Sequence, residues 1–310
     1  MFSQYFGHYL LNKGLLTTDQ LKHALDQQKS THVKLGVIAV DQGFLTSAQV
    51  EEIHDRQKKQ DKRFGEIAVD LGFLSNEQVE QMLAAQKNNH LMLAQAIVDS
   101  NYMTIEEFSN SLNDYKKLHS LSDERFEAIK NGDIDTMVES LLYTSVKEKE
   151  DYFDYISLFV KNMIRFIDDQ VYIEVNQVNG EVETDWLVMQ EVQGEVPLLT
   201  ALAASEEMFL QIASIYAEEE LTEACELAQA SVSEFLNLHN GIFLVNMSNR
   251  GIELGMAPQH VQNEAVYLFD EETSLHLTVH TSKGEFQLII TKHPQSAKVS
   301  AKPHETSATM

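Results

Sequence analysis

The chain has 310 residues, 43% of them hydrophobic, and a formal net charge of −25. That size and apolar content suit about two domains with real cores. The acidic balance excludes general nucleic-acid binding, which needs Lys and Arg against phosphates. A single cysteine, Cys225, excludes an internal disulfide and any multi-cysteine metal site. No apolar run reaches the about 18 residues of a membrane span, and Met1-Phe2-Ser3-Gln4 does not open a signal peptide. The expected class is a soluble cytoplasmic protein.

The amino-terminal part, 1–115, is periodic. Gly7, Gly36, Gly65 and Ala94 follow one another at intervals of 29 residues. In the same register come Gly14, Gly43, Gly72 and Asn101, then Thr17, Thr46, Ser75 and Thr104. Gln20, Gln49, Gln78 and Glu107 keep step, as do Gln28, Gln57, Gln86 and Tyr115. Four copies in register mark an all-α helical repeat. Thr or Ser followed three residues later by Gln or Glu is a capping box that opens a helix. The Gly or Asn before it suits a left-handed stop. Each copy therefore reads as a short helix, a stop, a turn and a longer helix, with Leu21 and Leu25, or Val79 and Leu83, on the buried face. A packing scaffold alone would satisfy this pattern.

The run Phe6-Gly7…Leu10…Gly14…Leu21…Leu25…Gln28 resembles the N-terminal domain of type II secretion and pilus ATPases, the GspE or MshEN family. The resemblance implies tandem copies that bind cyclic-di-GMP, here as a regulatory ligand. It assigns nucleotide contacts to Lys34, Leu35, Gly36 and Gln57 in the second copy and to Arg63, Phe64, Gly65 and Gln86 in the third. The family opens each copy with Arg-Leu-Gly. Here the triplets are Tyr5-Phe6-Gly7, Lys34-Leu35-Gly36 and Arg63-Phe64-Gly65, and Ala39 and Ala68 replace a leucine. A guanidinium grips a guanine edge or a phosphate with two hydrogen bonds, whereas a lysine is a point charge. The basic stretch from Arg56 to Arg63 joins the second and third copies, and reads either as part of a ligand site or as a solvated turn. The fourth copy is degraded and reads as a cap. No Gly-x-x-x-x-Gly-Lys-Ser/Thr loop is present, so the chain carries no ATPase motor of that kind.

Residues 116–150 are polar and read as a helical linker, broken at Asn131-Gly132-Asp133. From 151 to 293 the pattern changes. Tyr152 to Ile167 is an aromatic-rich helix. Strands follow at Val171–Val175, Trp186–Val192 and Leu198–Leu202, with Asn179-Gly180 as a hairpin turn between the first two. A helix at Glu206–Ala217 precedes a longer one from Leu221 to Gly241. The remaining stretches read as strands: Ile242–Met247, Ile252–Met256, Val266–Phe269, Leu275–His280 and Phe286–Thr291. Ser282-Lys283-Gly284 closes the last hairpin. This is an α+β arrangement of helices on a mainly antiparallel sheet. Residues 294–310 are polar and read as a disordered tail.

The Leu221–Gly241 helix carries the candidate site. Leu221, Ala224, Ala228, Val232 and Phe235 share a core-facing stripe. Cys225 lies beside it and reads as a buried thiol, and His239 falls on it and reads as structural. Glu234 and Asn237, three apart, are neighbours on the outer face, where Ala230 and Gly241 leave them unobstructed. Exposed Glu and Asn are ordinary on helices, and Glu107-Phe108-Ser109-Asn110 is a second match without a glycine at the same offset.

Position separates the two matches. Glu-x-x-Asn-x-x-x-Gly on the second of two helices, between strands and before a glycine hairpin, resembles the CheC/CheX chemotaxis phosphatases, and CheX in having one such helix. The resemblance covers about 151–291. It implies hydrolysis of the aspartyl phosphate on a CheY-like response-regulator receiver domain. Asn237 would orient the attacking water, and Glu234 would pair with the receiver's lysine. The chain would need no metal or cofactor of its own, since Mg²⁺ would belong to the phosphorylated partner. A homodimer through edge strands is also implied. Two other readings stay open: a signalling adaptor that binds a receiver or cyclic-di-GMP without catalysis, and a structural component of a secretion or pilus machine.

Overall fold

The computed structural model describes residues 2–86, 88–145, 150–176 and 180–302. The chain divides into two compact units, Met1–Met137 and Val138–Met310.

The first unit is helical: α1 (Phe2–Asn12), α2 (Thr18–Gln28), α3 (Leu35–Asp41), α4 (Ser47–Gln57), α5 (Phe64–Asp70), α6 (Asn76–Ala85), α7 (Asn89–Asp99), α8 (Ile105–Leu118), α9 (Asp123–Lys130) and the start of α10 (Ile134–Ser145). Thr17, Thr46, Ser75 and Thr104 each cap the following helix, and the side chain three residues on returns the bond. Both partners thus satisfy backbone donors that a helix start leaves open. The stops before these caps are left-handed, with φ of +68°, +69° and +69° at Gly14, Gly43 and Gly72 and +55° at Asn101. A Cβ on Gly7, Gly36 or Gly65 would fall 2.6 to 2.8 Å from Leu21, Val50 or Val79. The missing side chain is what lets each copy's first helix lie against its second.

The core gathers Phe6, Leu10, Ile38, Ile53, Ile67, Leu91, Ile97 and Phe108, and it also takes in Leu121, Phe126, Ile129 and Met137. Residues 116–137 are therefore part of this unit and not a linker. Most of their charges face out, Lys130 excepted, while these four apolar side chains face in. Residues 146–149 lie outside the described residues.

The second unit contains α11 (Glu150–Phe166), β1 (Tyr172–Val175), β2 (Glu181–Gly194), β3 (Leu198–Ala204), α12 (Glu206–Ala217), α13 (Glu226–Ser248), β4 (Leu254–Met256), β5 (His260–Leu268), β6 (Ser274–Thr281), β7 (Gly284–Thr291) and β8 (Lys298–Ala301). The strands form one antiparallel sheet in the order β1-β6-β7-β3-β2-β5-β8, with β4 also on β2. Register places Val188, Gln190 and Val192 beside Leu202, Thr200 and Leu198, and Leu202 and Thr200 in turn beside Leu288 and Ile290. This is the face that meets α13. On the opposite face Leu187, Met189, Ala201, Ala203 and Ile289 cluster with Tyr267 and Phe269. The Tyr267 hydroxyl is 3.4 Å from Thr291 Oγ1, so β5 curls over that face.

Four expectations for this unit are corrected. Residues 172–175 and 181–194 do not form a hairpin: β1 pairs with β6, and β2 with β3, β4 and β5. Asn179 lies outside the described residues. Second, the helix expected to end at Gly241 continues to Ser248. Its apolar stripe continues through buried Phe243 and Met247, and a short apolar run such as Ile242–Met247 has no period that separates strand from helix. Third, the same helix begins at Glu226, not Leu221. Cys225 is its N-cap and is exposed, so the thiol is not buried. The preceding loop is held by Ser214, whose Oγ accepts the Leu221 N–H at 3.0 Å. Last, residues 294–302 are ordered: β8 pairs with β5, and Lys302 bonds Asp185 at 3.1 Å. Residues 303–310 lie outside the described residues.

Candidate functional site

α13 packs Ala228, Val232, Phe235, Leu236, His239 and Asn240 into the unit's interior. The 3.6-residue period turns Ala230, Glu234, Asn237 and Gly241 to the other side. Ala230 and Glu234 are exposed, and Asn237 and Gly241 are half-buried. A Cβ on Gly241 would meet only Met256 Cε, at 3.8 Å, so the glycine is not forced by packing.

Glu234 and Asn237 are in contact. Asn237 Nδ2 donates to Glu234 Oε2 at 3.2 Å. Asn237 Oδ1 accepts from Gln190 Nε2 at 2.9 Å. Gln190 is buried on β2, and its Nε2 also donates to the Ala257 carbonyl at 3.0 Å. Behind it, Asn240 Nδ2 donates to Gln190 Oε1 at 2.8 Å, and the Tyr155 hydroxyl donates to Asn240 Oδ1 at 2.5 Å. A chain of hydrogen bonds thus runs from the core, through two amides, to the surface pair. The charge of Glu234 has one further effect: burial, and then that carboxylate, push the Tyr216 hydroxyl above its ordinary pKa.

Sequence reasoning missed Gln190, Asn240, Thr200 and Tyr155. A signal existed: Gln190 interrupts Leu187-Val188-Met189, and Thr200 interrupts Leu198-Leu199, at positions facing the core. Buried polar residues in apolar strands need partners, and these found one another.

The second match is spent locally. Glu107 Oε2 accepts from the Thr104 N–H at 2.7 Å and from its hydroxyl at 2.9 Å, as the helix cap requires.

Sequence reasoning assigned nucleotide contacts to residues that lie around the joint of the second and third copies. A Cβ on Gly36 would stand 3.6 Å from the Phe64 ring, and one on Gly65 would stand 3.8 Å from Leu35. Gln57 and Gln86 are used alike: Gln57 Nε2 donates to the Lys62 carbonyl at 3.4 Å, and Gln86 Nε2 to the Val33 carbonyl at 2.8 Å. Val33 and Lys62 are equivalent positions, so each copy reaches to the other. Lys34 pairs with Asp99 at 2.7 Å, and Arg63 is exposed at the N-cap position of α5, where its backbone N–H donates to Glu66 Oε2 at 2.8 Å. The basic stretch is partly neutralised by Arg56–Glu52, Lys58–Asp55 and Lys62–Asp70. Burial, then the charges of Lys34 and Lys58, hold His54 below its ordinary pKa.

Among the described residues, no group of three or more His, Cys, Asp or Glu is placed to hold a metal, and no helix is long and apolar enough to cross a membrane.

No protein-family model matches the chain, and no curated protein matches it. Solved structures do. A chemotaxis protein CheX from Desulfovibrio desulfuricans is 13% identical, with a TM-score of 0.39, over 46% of this chain and 99% of that one. A CheC-like superfamily protein from Shewanella sp. PV-4 is 15% identical, with a TM-score of 0.38, over 44% and 96%. A CheX–CheY–BeF3–Mg²⁺ complex from Borrelia burgdorferi contains a chain 13% identical, with a TM-score of 0.35, over 44% and 94%.

Proposed function

We propose that the second unit hydrolyses the aspartyl phosphate of a CheY-like receiver domain, in chemotaxis or two-component signalling. The observation that carries this reading is the Glu234–Asn237 pair, 3.2 Å apart on an outer helix face kept low by Ala230 and Gly241. Hydrolysis of an acyl phosphate needs water held in line with the scissile bond and charge stabilised on the phosphoryl oxygens. A carboxamide accepts one hydrogen bond from water and donates another. It does so without titrating, so Asn237 needs no perturbed pKa. Asn237 enters the receiver's site and orients the water. Glu234 pairs with the receiver's lysine and docks the two proteins. The receiver's own Mg²⁺ neutralises the phosphoryl oxygens.

The test is the decay of phosphorylated receivers with wild type and with Asn237→Ala. Faster decay with wild type alone supports the phosphatase. Unchanged decay alongside retained binding assigns an adaptor role instead.

For the first unit, cyclic-di-GMP is the proposed regulatory ligand, at Lys34, Leu35, Gly36, Gln57, Arg63, Phe64, Gly65 and Gln86. Their gathering around one joint supports it, although a nucleotide there has to compete with Asp99 for Lys34 and with backbone carbonyls for both glutamines. Regulation requires that the nucleotide bind two conformations unequally, and titration of cyclic-di-GMP into the decay assay reads that directly. A homodimer through an edge strand has β1 and β8 as its candidate edges, the two ends of the sheet among the described residues.

A further inference from the structure

We infer that Gln190 is a positioning residue for Asn237, fixing which end of its amide faces the partner; the catalytic consequence rests on the phosphatase reading above. A free Asn side chain on a helix presents its oxygen or its nitrogen in either direction. Here the choice is fixed from both ends. The Ala257 carbonyl can only accept, so the end of the Gln190 amide that faces it, at 3.0 Å, is the NH2. The other end of Gln190 is its oxygen, which takes the Asn240 N–H at 2.8 Å. The same Gln190 NH2 points its second hydrogen at Asn237, 2.9 Å away, and so calls for the Asn237 oxygen there. That leaves the Asn237 NH2 toward Glu234, whose carboxylate also only accepts. Two independent acceptors, one backbone and one carboxylate, thus demand the same orientation.

The consequence is a defined set of free valences. Asn237 keeps one N–H and one lone pair on Oδ1 beyond the bonds it makes within the chain. A water that donates to that lone pair and a phosphoryl oxygen that accepts that N–H are then presented in one fixed geometry. Gln190 is buried on β2 beneath α13, so its effect is on turnover and not on docking. Preorganised donors do not have to reorient at the moment of reaction.

Two substitutions separate orientation from bulk. Gln190→Glu keeps the size but has at most one proton to donate, so it cannot serve both the Ala257 carbonyl and Asn237 Oδ1. Gln190→Leu removes both bonds. Thr291→Val, an equally buried polar loss on the opposite sheet face, controls for damage to the core. The first readout is the side-chain amide of Asn237, by ¹⁵N–¹H NMR of protein labelled at asparagine. Wild type gives two separate, slowly exchanging hydrogens. Both Gln190 variants shift them and speed their exchange, while Thr291→Val leaves them in place. The second readout is steady-state decay of phosphorylated receiver. kcat falls roughly 10- to 100-fold in the Gln190 variants, as for a small misplacement of a reacting group, and KM stays within about twofold.

Unmoved Asn237 signals in folded Gln190→Leu overturn the positioning role. An equal loss of kcat in Thr291→Val overturns it too, by reducing it to stability. Failure of wild type to accelerate decay overturns the phosphatase reading and the kinetic consequence together, and the NMR result then decides the amide clamp alone.

Discussion

His239 Nδ1 accepts a hydrogen bond from Asn162 Nδ2 at 3.1 Å, deep in the second unit, and its Nε2 has no polar partner among the described residues. The proton therefore sits on Nε2, which looks into aromatic surroundings. The Tyr155 ring stands perpendicular to the imidazole at 4.4 Å, and the Phe159 ring at 5.3 Å. Burial pushes its pKa down to about 3. The histidine is neutral when folded and takes a proton readily when unfolded. Its contribution is constant above the unfolded pKa of about 6.5 and is lost as pH falls from there toward 3, by about 1.4 kcal/mol per pH unit. The single tryptophan, Trp186, reports unfolding of this unit. Urea midpoints read by its fluorescence fall in wild type between pH 6 and 4, and His239→Gln flattens that fall. An equally steep fall in the variant assigns the acid lability to other groups.

In the first unit Asp41 is nearly sealed, with Oδ2 at 3.2 Å from His90 Nε2 and 3.3 Å from Lys130 Nζ. Burial alone would raise its pKa. The His90 hydrogen bond, then the charges of His90 and Lys130, overcome this and hold the carboxyl below its ordinary value. Removing one member of a buried pair strands the other, at a cost of about 3–5 kcal/mol. Asp41→Ala therefore destabilises the helical unit by that order, since the carboxylate that Lys130 keeps among the described residues is that of exposed Glu127, at 2.8 Å. The sign with pH follows from the lowered pKa. The aspartate's contribution is fully present above the unfolded carboxylate value of about 3.9 and is lost as pH falls through the folded value. Calorimetry at pH 7 shows the full gap between wild type and variant, and at low pH the gap closes. A gap that stays constant with pH would show that Asp41 acts through packing alone.

What was legible in the sequence was whatever local chemistry settles. The four capping boxes, the glycine stops, helix α12 and the β6–β7 hairpin each rest on residues a few positions apart, and the structure has all of them. Glu234 and Asn237 were legible because a helix makes three-apart residues neighbours. Long-range pairings were not. Val171–Val175 and Trp186–Val192 flank a good turn pair, yet β1 travels to β6, because sheet order is decided by which apolar faces meet. Nothing local says that Lys298–Ala301 will pair with β5. Gln190 was invisible for the same reason: it lies 47 residues from Asn237, and only the packing of β2 beneath α13 joins them.

The two surface residues of the pair separate by kinetics. Asn237→Ala removes the group proposed to hold water, and kcat falls by roughly 100-fold, as for loss of one preorganised polar group. Glu234→Gln keeps the shape and removes the charge proposed to meet the receiver's lysine. KM for phosphorylated receiver rises, with a smaller change in kcat. Glu107→Gln with Asn110→Ala, at the other Glu-x-x-Asn, leaves both constants unchanged because Glu107 is occupied as a cap. Stopped-flow decay of the phosphorylated receiver measures all three. A variant at Asn237 as fast as wild type ends its proposed role.

Gly241 supplies the last test, because fold and function pull its substitution in opposite directions. It sits inside α13, where glycine costs roughly 0.5–1 kcal/mol relative to alanine. An added Cβ would meet only Met256 Cε, at 3.8 Å, which is ordinary contact. Gly241→Ala therefore stabilises the unit by about 0.5–1 kcal/mol, seen as a higher urea midpoint by Trp186 fluorescence. On the outer face the same methyl group stands one helical turn beyond Asn237, where the receiver is proposed to approach. Binding of a BeF3-activated receiver weakens in the stabilised variant. A higher midpoint with unchanged receiver binding would take this end of α13 out of the docking face, and a lower midpoint would mean that the glycine is required by the fold.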